Sequence, residues 1–203
     1  DIGIQIVNYK VSFNEKQAIE HSSQIGFPLA MKVLSNQILH KTETGGVELN
    51  IKNLEELKTS FQKLSDVFQK LKMKSSDEKF LIQKMEKGIA EIILGYRVDE
   101  LVGPIVVLGS GGILSEIYND KSIRMAPVDI TEAKKMINEV KSLVTITGYR
   151  GLPEADINII ANAVVNMSKF AFVREIKEAE INPVIVKKEN EGIVAVDGLI
   201  TLN

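Results

Sequence analysis

The segment Glu180-Ile181-Asn182-Pro183, taken together with Val196-Asp197 further on, constrains this chain more than any other feature. An apolar run delivers an acid and an amide and turns at a proline, and a second apolar run then delivers an aspartate. Asn182 and Asp197 are fifteen residues apart, a spacing that suits neighbouring strands of a hairpin. Hard cations such as Mg²⁺ take oxygen ligands, often one or two from protein and the remainder from water and phosphate. An amide carbonyl beside a carboxylate therefore fits a seat for Mg²⁺ with ATP or ADP. The spacing alone equally describes a strand pair that merely ends in polar residues.

The rest of the chain supplies the frame. At 203 residues it has room for one domain or two small lobes sharing a core. A hydrophobic content of 44% is enough for a globular core and too high for a disordered chain. A net charge of −2 gives no basic excess for nucleic acid, and no apolar run approaches the roughly 20 residues of a membrane span. The absence of cysteine removes disulfides, thiolate metal sites and a cysteine nucleophile. With no signal-peptide pattern at the start, a cytoplasmic enzyme or module is expected. Asp1 opens the chain without a methionine, and the expectation is a domain excised from a longer protein.

Periodicity and punctuation predict the elements. Ser12 and Glu15 have capping-box spacing ahead of a helix over 13–25 that Gly26 ends. Strands are predicted over 29–34, with Lys32 in the middle, and over 47–51. Asn53 and Glu56 repeat the cap spacing before Leu54, Leu57, Phe61, Leu64, Phe68 and Leu71, which recur at helical intervals. The charged stretch 70–79 marks a lobe boundary, dividing the chain into residues 1–75 and 76–203. Strands follow over 80–85, 91–97, 104–108 and 123–126, then a helix over 131–143 capped by Thr131, a loop over 148–153, and a helix over 157–172 capped by Asp156. Two strands, 179–186 and 193–196, close the chain. This mixture implies an α+β fold with a mainly antiparallel sheet in each lobe.

Several residues in this frame suggest chemistry. Lys32 sits within an apolar strand, as a point charge for phosphate or as an edge residue facing water. His40 follows Ile38-Leu39, precedes Lys41, and lies near Gly45-Gly46, a pair that lets a loop pivot. A neutral imidazole is a competent nucleophile, although a lone loop histidine is commonly a surface group. Backbone N–H groups around Gly45 and Gly46 can cradle phosphate oxygens or simply make a turn. Gly109-Ser110-Gly111-Gly112 follows a strand but lacks the Gly-Lys-Ser/Thr of a P-loop. Glu180 shares a strand face with Asn182. His21 falls on the first helix and is expected at the surface.

Four blocks carry a resemblance to a known family: Gly26-Phe27-Pro28-Leu29-Ala30-Met31-Lys32-Val33, Ile38-Leu39-His40-Lys41-Thr42-Glu43-Thr44-Gly45-Gly46-Val47, the glycine-rich stretch from Gly103 to Gly112, and Glu180-Ile181-Asn182-Pro183 with Asp197. In this order they resemble the ATP-grasp domain of ADP-forming acyl-CoA synthetases, relatives of the β subunit of succinyl-CoA synthetase. The resemblance implies two lobes clamping a nucleotide. It implies a phosphate-contacting Lys32 with Lys41, Gly45 and Gly46 in the same loop system, a phosphorylatable His40, and a Glu180 that orients an incoming phosphohistidine. Gln83 and Met85 bracket the implied hinge against the base, Glu91 the ribose or metal region, and Glu116 and Arg124 match an acid and an arginine of the second lobe. The implied partners are CoA-binding and ligase domains, or an α subunit, carrying a second phosphohistidine. Two rival readings are a regulatory synthetase-like region of a protein lysine acetyltransferase and a carboxylate–amine ligase working through an acyl phosphate. The second needs no histidine loop.

Overall fold

The computed structural model describes residues 2–35, 45–70, 79–112 and 119–203. The chain divides into a smaller unit, Val7–Met85, and a larger one made of Asp1–Ile6 with Glu86–Asn203. Among the described residues both units are α+β with mostly antiparallel sheets. The division falls after Met85, beyond the expected 75/76 boundary, because the strand Phe80–Lys84 pairs with two strands of the smaller unit.

In the smaller unit, β2 (Tyr9–Ser12), β5 (Phe80–Lys84), β3 (Leu29–Val33) and β4 (Val47–Ile51) pair in that order. Helices α1 (Glu15–Ile25) and α2 (Leu54–Lys70) supply the other half of the core. Alternate residues of the strands, Leu29, Met31, Val33, Phe80 and Ile82, are fully buried in a cluster with Leu57, Leu64 and Phe68 of α2. Phe80 lies 4.4 Å from the Phe61 ring and 5.5 Å, edge-on, from Phe68. Leu54, the first residue of the expected stripe, is exposed instead.

The caps show where local rules hold. Asn53 caps α2 as the spacing implies, Glu56 N donating to Asn53 Oδ1, but the Glu56 carboxylate reaches back one residue further than a capping box does and accepts from Lys52 N and from Asn53 Nδ2. The cap of α1 is Asn14, not Ser12: Asn14 Oδ1 accepts from Gln17 N, while Ser12 belongs to β2 and its Oγ lies 2.8 Å from His21 Nδ1. His21 is therefore half-buried and hydrogen-bonded, which corrects the surface expectation.

In the larger unit the sheet order is β1 (Gln5–Ile6), β10 (Ile193–Ala195), β9 (Ile176–Val186), β6 (Ala90–Asp99), β7 (Gly103–Ser110) and β8 (Lys121–Met125), with β11 (Gly198–Leu202) also on β9. Only β1 and β10 run parallel among these pairs. Helices α3 (Ile130–Glu139) and α4 (Ile157–Ser168) join one face through Ile92, Leu94, Tyr96, Val106 and Leu108. Asp156 caps α4 as expected, accepting from Asn158 N and Ile159 N. Asp129, not Thr131, caps α3. The helix expected to reach residue 143 stops at Glu139, because Val140 is extended and the Asp120 carboxylate accepts from Lys141 N and Ser142 N, starting a 3₁₀ turn there.

Candidate active site

Each sheet has one face under helices and one face opposite, and strand alternation sorts the functional side chains between them. In β6, Ile92, Leu94 and Tyr96 take the helix side, which leaves Glu91, Ile93 and Gly95 on the other. Glu180 of β9 pairs with Gly95, so Glu180 shares the face of Glu91. The ladder then slips, since Leu94 faces Ile181 but Ile92 faces Val184. This bulge falls on Asn182-Pro183 and re-aims a side chain at the rim of the sheet.

The bulge brings the ends of the motif together. Asn182 N donates to Asp197 O at 3.0 Å, and Val196 N donates to Pro183 O at 3.1 Å. Asp197 is not inside a strand; it lies in the short link between β10 and β11, both of which pair with β9. Asn182 Nδ2 donates to Glu180 Oε1 at 3.3 Å, which orients the amide so that Oδ1 is the end turned away from Glu180. Asp197 Oδ1 accepts from Gly198 N at 3.0 Å, fixing the carboxylate rotamer. An amide carbonyl and a carboxylate, on two residues joined by a backbone hydrogen bond, are oxygen donors of the kind that suit a hard divalent cation keeping water or phosphate for its other positions.

Glu91 is tied to the glycine cluster. Gly111 N donates to Glu91 O at 2.7 Å, and a Cβ on Gly111 would come within 2.9 Å of Glu91. A glycine is needed there for close approach, and Gly112, at φ +85, faces the Glu91 carboxylate.

Arg124 is placed elsewhere. It pairs with Val106, a helix-side residue, and its guanidinium donates to Glu132 Oε1 of α3 at 2.7 Å and to Glu139, the last residue of α3. Ser122 Oγ donates to Glu139 as well. The guanidinium holds both carboxyls below the usual carboxylate range, and their hydrogen bonds push its own pKa further up. Arg124 thus lies on the opposite face of the sheet from Glu91 and Glu180, fastening α3 to β8.

In the smaller unit, Lys32 pairs with Leu81 and Val47, and Ala30 with Gln83. All five residues occupy the face opposite the helices. Lys32 is 5% exposed and Gln83 3% exposed. Gly46 is buried and its carbonyl accepts from Val33 N at 2.9 Å, beside Lys32. Gly45 has φ +71, a left-handed conformation that favours glycine. Met85 N donates to Pro28 O at 3.0 Å, anchoring the segment after β5. His40, Lys41 and Glu116 lie outside the described residues. The structure thus gathers Lys32, Gln83 and Gly46 on one unit and Glu91, Glu180, Asn182 and Asp197 on the other, and leaves Arg124 out of either group. The face assignment of Arg124 was not readable from Arg-Met-Ala-Pro alone, because nothing in that string fixes the strand register.

An ATP-grasp domain model matches residues 1–202. The β subunit of an ADP-forming acetate–CoA ligase from Pyrococcus furiosus is 36% identical over 201 residues, covering 98% of this chain and 86% of that subunit. The chain belongs to the ATP-grasp family of ADP-forming CoA ligases. A 4-hydroxybutyrate–CoA ligase (ADP-forming) from Nitrosopumilus maritimus is 33% identical over 98% of this chain, which spans only 29% of that protein. This ATP-grasp domain therefore corresponds to most of a separate subunit in one relative and to under a third of a longer chain in another. Acetyl-coenzyme A synthetase 1 from Ca. Korarchaeum cryptofilum, solved with coenzyme A and Ca-AMPCP, superposes with a TM-score of 0.86 at 32% identity, covering 100% of this chain and 88% of that one. Another structure of that enzyme, with coenzyme A and Mg-AMPPCP, has its phosphohistidine segment pointing towards the nucleotide-binding site (TM-score 0.79, 32% identity, 100% and 87% covered).

Proposed function

We propose that this domain is the nucleotide-binding, phosphate-transferring part of an ADP-forming acyl-CoA ligase, catalysing its share of acid + CoA + ATP ⇌ acyl-CoA + ADP + phosphate. The observation that carries the reading is the meeting of Asn182 with Asp197 at the β9 bulge, with Glu180 hydrogen-bonded to the same amide. Asn182 Oδ1 and the Asp197 carboxylate would hold Mg²⁺. Bound there, the cation would neutralise charge that develops on the transferring phosphate.

The chain's own groups do the rest. Lys32 serves the α- or β-phosphate as a compact point charge. Lys41, Gly45 and Gly46 contact phosphate oxygens. Gln83 and Met85 border the base, and Glu91 serves the ribose or metal region; Glu116 is kept as a further nucleotide contact. The His40 imidazole takes the γ-phosphoryl group, the phosphorus–oxygen bond to ADP breaking as the phosphorus–nitrogen bond forms. Glu180 holds an incoming phosphohistidine ring by one nitrogen so that the other reacts. Domains or an α subunit with CoA-binding and ligase functions, carrying that second histidine, complete the reaction. Among the described residues no helix is long and apolar enough to cross a membrane, and we place the reaction in the cytoplasm.

Titration calorimetry with Mg²⁺–ADP tests the metal seat. The wild type is expected to bind, and Asp197→Ala to bind at least about tenfold more weakly, since even a hydrogen bond to a charged group is worth roughly 1.5–3 kcal/mol and the variant loses a whole carboxylate. Affinity that is the same with and without Mg²⁺, in both proteins, would remove Asn182 and Asp197 from the site.

A further inference from the structure

The smaller sheet places an aromatic side chain on the nucleotide-bearing face that the reading above leaves unused. Tyr9 of β2 pairs with Gln83, which pairs in turn with Ala30 of β3. Residues directly opposite on antiparallel strands share a face. Tyr9, Gln83 and Ala30 therefore form one cross-strand row, and Val11, Leu81, Lys32 and Val47 form the next. The intervening positions point the other way: Ser12 reaches His21 of α1, and Phe80 and Ile82 enter the helix-covered core. Along the first row, Ala30 and Gln83 are each 3% exposed while Tyr9 is 49% exposed. The row thus opens onto a half-uncovered phenol ring at the edge of the sheet.

Its distance from Lys32 follows from sheet geometry. β2 and β3 are separated by β5, so Tyr9 is two strand spacings away, roughly 9–10 Å, and one same-face step along the strand, about 7 Å. With side chains reaching inward, that separation matches a nucleotide laid with its phosphates at Lys32 and its base beyond Gln83. A ring at that end has a flat apolar surface for a heterocycle, and stacking on aromatic side chains tolerates any base.

We propose that Tyr9 is a base-contacting residue: its ring packs against the nucleobase, and Lys32, one rung away on the same sheet face, takes the phosphates. The inference rests on the nucleotide-binding reading and adds the residue that recognises the base end. Contact of this kind is worth about a tenfold change in affinity when the ring is removed. It predicts a split between ligands with and without a base.

The test compares Mg²⁺–ADP with inorganic tripolyphosphate, which has phosphates and no base, using the full chain. Tyr9→Ala is expected to weaken ADP binding about tenfold and to leave tripolyphosphate binding unchanged. Tyr9→Phe, which keeps the ring, should hold wild-type affinity for both. Lys32→Ala should weaken both ligands. Because the sequence contains no tryptophan, Tyr9→Trp places a single indole at the site, excitable apart from the remaining tyrosines, and its emission should change on addition of ADP but not of tripolyphosphate. ADP affinity unaltered in Tyr9→Ala, with wild-type binding intact, overturns the assignment of Tyr9 alone. So does an equal loss for the two ligands, or a Tyr9→Trp signal that ignores bound ADP. A wild-type chain that binds neither ligand overturns the nucleotide reading and this inference together.

Discussion

Lys32 makes the sharpest demand at the scale of single residues. Its strand is flanked on both sides, by β4 and β5, and the side chain is 5% exposed. Taking an ammonium out of water costs several kcal/mol unless negative charge and hydrogen bonds are supplied. Lys32 is not without a partner in the structure, and a phosphate chain would add negative charge and acceptors to what it already has. Lys32→Ala is therefore expected to weaken Mg²⁺–ADP binding roughly 10- to 100-fold, whereas Lys58→Ala, on the exposed surface of α2, removes the same charge with little effect. Equal losses measured by calorimetry would mean that only general electrostatics is at work. The places of Lys32 and Asn182 on strands were legible in the sequence, because apolar neighbours announced strands and polar interruptions stood out against them; Asp197 was expected on the last strand and lies just beyond it, in the link between β10 and β11. The face of Arg124 was not legible, because whether a strand residue faces helices or the opposite side depends on register, and register is set by partners far away in the chain. Ser12 was misread for a related reason. Asn14 competes for the same cap, and the pairing of β2 with β5 draws Ser12 into the sheet.

At the scale of elements, the helices and the longer strands followed from periodicity, and the departures lie where tertiary contacts decide. β11 has five exposed residues and no alternation for a pattern to detect; only its pairing with β9 makes it a strand. The helix α3 ends early because Asp120, from before β8, captures the amides that follow it. The same helix is fastened at two points by Arg124, and that clamp has a pH signature. Glu132 and Glu139 have folded-state pKa values below their ordinary ones, first because of hydrogen bonds from Arg124. Carboxyls depressed in the folded state add stability that is present above the unfolded value and lost as pH falls through the folded one. Thermal melts should therefore show a falling midpoint as pH drops below about 4. Arg124→Gln should melt lower at neutral pH and show a shallower acid dependence, the remainder belonging to Asp99 and Asp120, whose carboxyls are also depressed, by backbone hydrogen bonds from Leu101 and Val102 at Asp99 and, against the upward push of burial, by bonds from Ser142 and Lys141 at Asp120. An identical acid profile in the two proteins would show that the clamp does not contribute.

Each of the two units is a sheet with helices on one face, and the candidate residues Lys32 and Gln83 in the one and Glu91 and Glu180 in the other lie on the opposite face. The α+β class and the antiparallel sheets were readable from element order. The membership of the first residues was not: Gln5 and Ile6 run parallel to β10 near the far end of the chain, so the larger unit is built from both ends of the sequence. No local pattern encodes such a pairing. The placement of the candidate residues on the faces opposite the described helices agrees with the proposed work of the domain, to hold a nucleotide while a histidine exchanges phosphate with it. That exchange is the central claim, and labelling measures it directly. Incubated with Mg²⁺ and ATP carrying a γ-phosphate label, the chain, together with its CoA-binding partner where that is a separate protein, should acquire an alkali-stable, acid-labile label on His40. His40→Ala should abolish the label on this chain and His21→Ala should retain it. Label that persists in His40→Ala, or none in the wild type with nucleotide bound and partner present, would contradict the account.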